Sequence, residues 1–358
     1  MITKSFLSIL LIVAILFSSL GIPTQTFACT IFSINQDNQR WVGRTFDWSY
    51  GQGALMTNAR GVFKKSLRLL PQDVSTSWTS KYGSLTFNQF GKELPLGGMN
   101  ETGLMIEALE LKTSIFSSPN EIPSLNELQF IQYILDNFQT IEEIKKSLST
   151  LRISAVGSQL HYFTCDIHEC LTIESINGKW VTHSEEELPI PSLANNTYEQ
   201  HLNYIQDFEN FGGIKPINME SKESLDRFVR GTFYAQTLKN YSDKIEKLFD
   251  FLNDVGTKNN RWQIIYNQTE GIIHFRTTAK FSLKRFVDLK RLNFDCHKKT
   301  KYFDLESDFD ADITDLLKDL SNDFNYALIK KSVELQKLPL PLADRLANYS
   351  TETQCQEK

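Results

Sequence analysis

The sequence predicts an α+β fold of stacked layers. Three observations carry this: strand patterns open the chain, capped helices and further strand patterns follow, and no sustained alternation of strand with helix suggests a doubly wound sheet. Residues 30–34 (T-I-F-S-I) read as a strand, 35–39 (N-Q-D-N-Q) as a polar turn and 41–48 (W-V-G-R-T-F-D-W) as the returning strand. Ser124 with Glu127, behind Pro123, forms a capping-box pattern that predicts a helix with Leu128, Ile131 and Leu135 on one face. Thr140 with Glu143 repeats the device. Strands follow at 160–166, 170–174 and 179–183, and helices start near Ser224 and near Ser242. The second of these carries Ile245, Leu248, Phe249, Leu252 and Val255 ahead of Gly256. Strands at 262–266, 271–276 and 285–289, then a long helix over about 310–336, complete the reading.

Composition bounds the function. The 358 residues are 41% hydrophobic and include 25 Phe, enough for a sizeable core, and no low-complexity linker or repeat divides residues 29–358, which read as one domain. With 38 Lys+Arg against 43 Asp+Glu the net charge is −5, which leaves no positive field for nucleic acid or an anionic membrane. The first 28 residues read as a cleaved secretory leader: Lys4, an apolar run over 6–20, Pro23, then a small residue, Ala28. That run is short for a membrane span, so an exported protein, periplasmic or secreted and without stable membrane insertion, is expected.

Cleavage after Ala28 makes Cys29 the N-terminus. A lipoprotein cysteine is one reading, although Thr26, Phe27 and Ala28 do not resemble the Leu-Ala-Gly that should precede it. In the other, the free α-amine takes the proton of the thiol on its own residue and creates a nucleophile. The hairpin returns Arg44 and Asp47 toward Cys29, where a guanidinium favours thiolate and a carboxylate can orient the ammonium. Positions three apart point to opposite faces of an ideal strand, so a bulge, or a strand ending near Phe46, is expected between them.

These strings carry a family resemblance. C-T-I-F-S-I followed by G-R-T-F-D-W resembles the start of the mature choloylglycine hydrolase family, which holds the penicillin V acylases and conjugated bile salt hydrolases among the N-terminal nucleophile hydrolases. W-T-S-K-Y-G-S at 78–84, G-M-N-E-T-G-L at 98–104, L-H-Y-F-T-C-D at 160–166, A-N-N-T-Y-E at 194–199 and D-R-F-V-R at 226–230 resemble further family segments in order. F-V-D-L-K-R-L-N-F at 286–294 resembles the end of the Gram-negative penicillin V acylase branch. The resemblance implies a four-layer αββα sandwich. It also implies that Cys29 is the nucleophile, Arg44 the arginine near its thiol and Asp47 the aspartate on the α-amine. Asn195 is then the oxyanion-hole amide and Arg227 the arginine that closes the charge network. The remaining oxyanion donor is a main-chain N–H at Glu110, where relatives carry Asn, Tyr or Trp. A carboxylate there would oppose catalysis unless only its N–H faces the developing charge.

The implied reaction is hydrolysis of a small N-acyl amide through a thioester on Cys29, with no cofactor, in a protein whose relatives are commonly tetramers. A catalytically silent lipoprotein or binding domain on the same scaffold is the alternative, motivated by Glu110 and by the cysteine at the cut. An exported chain with five Cys, one reserved, leaves four to pair. A tight turn at 166–169 would set Cys165 opposite Cys170, and Cys296 with Cys355 would staple the C-terminal tail. His161, Cys165, Asp166, His168, Glu169 and Cys170 form a dense run of potential ligands, but their spacing fits no closed zinc pattern, and no metal is expected.

Overall fold

The computed structural model describes residues 28–155, 157–238 and 241–356; apart from Ala28, the predicted leader lies outside the described residues. Two large sheets dominate. The seven-stranded sheet runs in the order Ser192–Leu193, Thr30–Gln36, Gln39–Asp47, Asn260–Asn267, Ile272–Thr277, Lys280–Asp288 and Ala311–Asp312. The nine-stranded sheet runs Lys179–Ser184, Cys170–Ile176, Leu160–Cys165, Met105–Glu110, Pro95–Asn100, Ser84–Asn88, Ala54–Asn58, Lys301–Asp304 and Lys318–Asp319.

Period-2 alternation sorts the side chains into layers. Ile31, Val42, Ile264 and Phe275 of the first sheet meet Phe87, Met105, Leu109 and Phe163 of the second in a shared core. Their neighbours Phe32, Trp41 and Ile265 point the other way, onto Leu248, Phe249 and Leu252 of the helix Lys244–Val255. Ala108, Tyr162 and Ile173 point outward onto Phe130, Ile131 and Ile134 of the helix Gln129–Asn137. Helix, sheet, sheet and helix therefore stack as the αββα sandwich. The N-terminal hairpin closes on Asp37 and Asn38, both with positive φ (54° and 58°), which Asp and Asn tolerate better than other side chains.

Thr140 and Glu143 form the expected capping box on Ile141–Ser147. Ser124 and Glu127 do not. Ser124 is drawn into a short strand, Ser124–Leu125, paired with Arg152–Ile153, and the Glu127 carboxylate accepts from the Gly157 and Ser158 amides. Asn126 caps that helix instead, accepting from the Leu128 and Gln129 N–H groups. The long helix over 310–336 is also corrected. Ala311–Asp312 pairs with Lys280–Asp288, a 3-10 turn occupies Thr314–Leu316, and the helix spans only Asn322–Leu335, capped by Ser321. A further helix, Pro341–Thr351, packs on it around Leu94, Ile329, Val333 and Leu346.

Both cysteine pairs are bonded. Cys165 and Cys170 face each other in the ladder with Cα atoms 4.0 Å apart, and Cys296–Cys355 ties the C-terminal helices to the body across 5.4 Å. Within the same 161–170 run the Asp166 carboxylate accepts from the Ile141, His168 and Glu169 N–H groups. Among the described residues, Cys296, His297 and Cys355 group their potential ligand atoms, but the two sulfurs are bonded to each other.

Candidate active site

Cys29 stands just ahead of the strand Thr30–Gln36, 3% exposed, in the core between the sheets. The hairpin register sets Ile31 opposite Arg44 and Thr30 opposite Thr45. Arg44, itself buried, shares the inter-sheet face with Val42 and Phe46, and its Nη2 lies 3.9 Å from the Cys29 thiol and 2.8 Å from the Ala108 carbonyl. Its Nη1 pairs with Glu107 Oε2 at 3.0 Å, and the Tyr266 hydroxyl donates to the other Glu107 oxygen. Burial pushes the Glu107 carboxyl up to about 7, against the pull of Arg44. Glu107, Tyr266 and this buried anchor were not read from the sequence; their signal is a carboxylate inside the otherwise apolar strand M-I-E-A-L.

Gly97 makes the anchor possible. It faces Glu107 across the ladder, and a Cβ at position 97 would lie 2.0 Å from Glu107 Oε2. Gly97→Ala should therefore displace the carboxylate from Arg44, lowering stability by about 1–3 kcal/mol and turnover with it. Thermal unfolding alongside turnover of any cleaved amide checks this; wild-type values of both would contradict it.

Asp47 does not share Arg44's face. The strand Gln39–Asp47 runs without a bulge through both residues, and the irregularity lies in the partner strand, between Asn260 and Trp262. The opposite faces are used rather than reconciled: Arg44 meets the thiol between the sheets, while Asp47 Oδ1 accepts from the Thr257 N–H and hydroxyl at 2.6 Å each. Asp47 Oδ2 is buried and has no hydrogen-bond partner among the described residues. Burial pushes the Asp47 carboxyl above the usual range, with Arg227 the strongest opposing influence. In this chain Cys29 follows Ala28, so its nitrogen is an amide, and burial, only partly offset by Arg44, pushes its thiol up to about 11.

Arg227, on the helix Ser224–Thr237, is 1% exposed and ties the site together. Its Nη1 donates to the Ala28 and Cys29 carbonyls at 2.6 and 2.8 Å and to the Thr30 hydroxyl. Its Nη2 donates to Asn195 Oδ1 at 2.8 Å, which fixes Nδ2 as the outward donor of that amide. Asn195 Nδ2 donates to the Glu110 carbonyl at 2.8 Å. Leu111 N–H bonds the Gln159 carbonyl one step from the Glu110–Leu160 pair, so the Glu110 main-chain groups point away from the strand Leu160–Cys165. Arg44 and Arg227 thus reach Cys29 directly, Asp47 lies near enough to act on its thiol, and Arg227 links Asn195 and, through that amide, the Glu110 carbonyl to the same centre.

Glu110 also lines a cavity of about 590 Å³ together with Trp48, Ser49, Gln159, Leu335 and Lys337. Leu335 and Lys337 come from the end of the Asn322–Leu335 helix and its exit, so the C-terminal segment forms part of the wall. Ser49 and Leu335 also line a neighbouring cavity of about 680 Å³ that reaches Thr257, the partner of Asp47.

Helix layers outside two mainly antiparallel sheets, with a buried cysteine heading an inner strand beside Arg44 and Asp47, place the chain among the N-terminal nucleophile hydrolases. Residues 29–302 match the linear amide C-N hydrolases, choloylglycine hydrolase family, and the chain belongs to that family. Penicillin V acylase of Pectobacterium atrosepticum is 31% identical over 182 residues, 46% of this chain and 48% of that protein, so the chain spans about half the length of the curated relative it matches. The structure of penicillin V acylase from Agrobacterium tumefaciens superposes with a TM-score of 0.71 at 25% identity, over 82% of this chain and 98% of that one. A variant of conjugated bile acid hydrolase from Clostridium perfringens shares the fold, with a TM-score of 0.62 at 19% identity over 77% and 97% of the respective chains.

Proposed function

We propose that the chain is an exported thiol amidase that hydrolyses a linear N-acyl amide once Cys29 becomes its N-terminus. The observation that carries this reading is that Arg44 and Arg227 bind at one cysteine, with Asp47 near its thiol and Asn195 held by Arg227. The family match that begins at Cys29 supports it. Loss of Ala28 replaces an amide with an amine on a residue whose thiol already feels Asp47, and the buried Asp47 Oδ2, without a hydrogen-bond partner among the described residues, would hold the ammonium. The amine takes the thiol proton, and the thiolate, facing Arg44, attacks the carbonyl carbon. The second hydrogen of the Asn195 amide and the Glu110 N–H receive the oxyanion. The ammonium then protonates the leaving nitrogen, giving a thioester; water, deprotonated by the amine, releases the acid and restores the thiol. No helix among the described residues is long and apolar enough to cross a membrane. A panel of N-acyl amides, given to protein beginning at Cys29, tests the reading: acid and amine should appear in equal amounts, and no release from any of the panel would refute it.

Glu110 sets an expectation about substrate. A carboxylate on the cavity wall repels anionic leaving groups, so Glu110→Gln should raise kcat/KM for these relative to neutral ones by about tenfold to a hundredfold. Lys337→Glu should move the same ratio the other way. An unchanged ratio in both variants would remove these side chains from selectivity.

A further inference from the structure

His161 and Glu174 form a buried pair that the proposed chemistry does not use. Their side chains are 0% and 1% exposed, on neighbouring strands, one step along the ladder from the Tyr162–Ile173 pair. His161 Nδ1 lies 3.1 Å from Glu174 Oε1, and Nε2 lies 2.8 Å from the Ala194 carbonyl. The Glu174 oxygens also accept from the Tyr198 N–H at 3.0 and 3.2 Å, at the start of the helix Tyr198–Ile205. The pair thus holds both ends of the short segment 194–198, and Asn195 lies inside it.

We infer that His161 and Glu174 are positioning residues for the Asn195 amide. This rests on the reading of Asn195 as an oxyanion donor. Three further bonds fix Asn195: its N–H to the Ser224 hydroxyl, its Oδ1 to Arg227 and its Nδ2 to the Glu110 carbonyl. The Asn195 N–H and the Ala194 carbonyl are opposite edges of one planar peptide. Ser224 holds the first edge and His161 the second, so that the peptide before Asn195 is pinned from both sides. The same strand also sets the second donor, because Leu160 is the ladder partner of Glu110 and His161 that of Leu109. One strand therefore indexes both oxyanion donors, Glu110 through its backbone and Asn195 through the His161 ring. Stability alone does not call for this pair, since a buried ionisable pair replaced by apolar side chains of similar volume is often neutral or stabilising.

The test separates positioning from folding by a reaction that needs no oxyanion hole. In protein beginning at Cys29, His161→Leu should lower kcat by about a hundredfold, approaching the 10²–10³-fold loss of an oxyanion donor, with KM changed less than about threefold. Alkylation of Cys29 by iodoacetamide should stay within about twofold of wild type, because the thiolate and Arg44 are untouched. His161→Gln, which can still donate to Ala194, should recover part of the loss. Glu174→Gln, which keeps acceptors for Tyr198, should fall between. Asn195→Ala is the reference: it should lose kcat with normal alkylation, and His161→Leu added to it should cost little more. Wild-type kcat in both His161→Leu and Glu174→Gln, with Asn195→Ala impaired, would overturn the inference. Parallel loss of kcat and alkylation in both would do so as well, by showing a general folding role. If Asn195→Ala itself keeps full activity, the reading of Asn195 falls first.

Discussion

Cys29→Ala should abolish turnover, by at least about 10⁴-fold, while leaving the fold in place. The side chain is small and heads a strand whose pairing runs from Thr30 to Gln36, so little burial is lost. What disappears is the atom that carries the acyl group. Retaining residues ahead of Cys29 should be equally silencing for a different reason: the nitrogen stays an amide, which takes up no proton near neutral pH. The thiol, pushed up to about 11 by burial, is then overwhelmingly protonated at pH 7.5. Its alkylation should accelerate about tenfold per pH unit and level off only near pH 11, because the thiolate fraction rises with pH until the thiol's own pKa. With Cys29 freed, the ammonium beside the thiol should move that rise to lower pH. Intact mass after a slow amide substrate completes the test: one acyl adduct on the N-terminal peptide of the freed protein, none on Cys29→Ala. An adduct on another residue, or activity surviving in Cys29→Ala, would move the nucleophile off Cys29, whereas no adduct and no turnover in the freed protein would return attention to a binding or lipoprotein role.

Local patterns made much of this arrangement legible before any coordinates. The N-terminal hairpin followed from strand alternation and a polar turn, and the Thr140–Glu143 cap from two side chains that satisfy each other's backbone. Where local patterns failed, long-range pairing had overridden them. The Ser124–Glu127 motif had the right spacing, but Ser124 pairs its main chain with residues 152–153 and Glu127 with 157–158. Residues 310–336 read as helix until Ala311 and Asp312 join an edge strand, a pairing no periodicity announces. The site divides in the same way. Cys29, Arg44 and Asp47 sit close in sequence on one hairpin. Asn195 and Arg227 are legible only through resemblance, because nothing local in their segments requires them to meet Cys29. Glu107 and Glu174 were visible only as carboxylates in apolar strands, and their partners Arg44 and His161 come from other strands.

Arg227→Ala should produce the largest combined loss of stability and activity among the remaining site residues. In protein beginning at Cys29, removing the guanidinium leaves the Cys29 carbonyl and the Thr30 hydroxyl without their buried donor, at a cost of about 2–4 kcal/mol. The Asn195 carbonyl oxygen loses the partner that fixes which way the amide faces, so kcat should fall by about 10²-fold or more. The charge effect has a definite sign. Asp47 already titrates above the usual range because it is buried, and Arg227 is the strongest influence holding it down. Without Arg227 the carboxyl shifts further up, so a larger fraction is protonated at any given acidic pH and less carboxylate remains to hold the α-ammonium. The acid limb of the kcat/KM profile should therefore move to higher pH. Arg227→Lys separates the two roles, since an ammonium supplies the charge but cannot span the Cys29 carbonyl and the Asn195 oxygen at once. It should keep the acid limb near its wild-type position while kcat stays depressed. A profile that shifts equally in both variants, or in neither, would detach Arg227 from Asp47 and leave it only the task of holding the strand end and Asn195 in place.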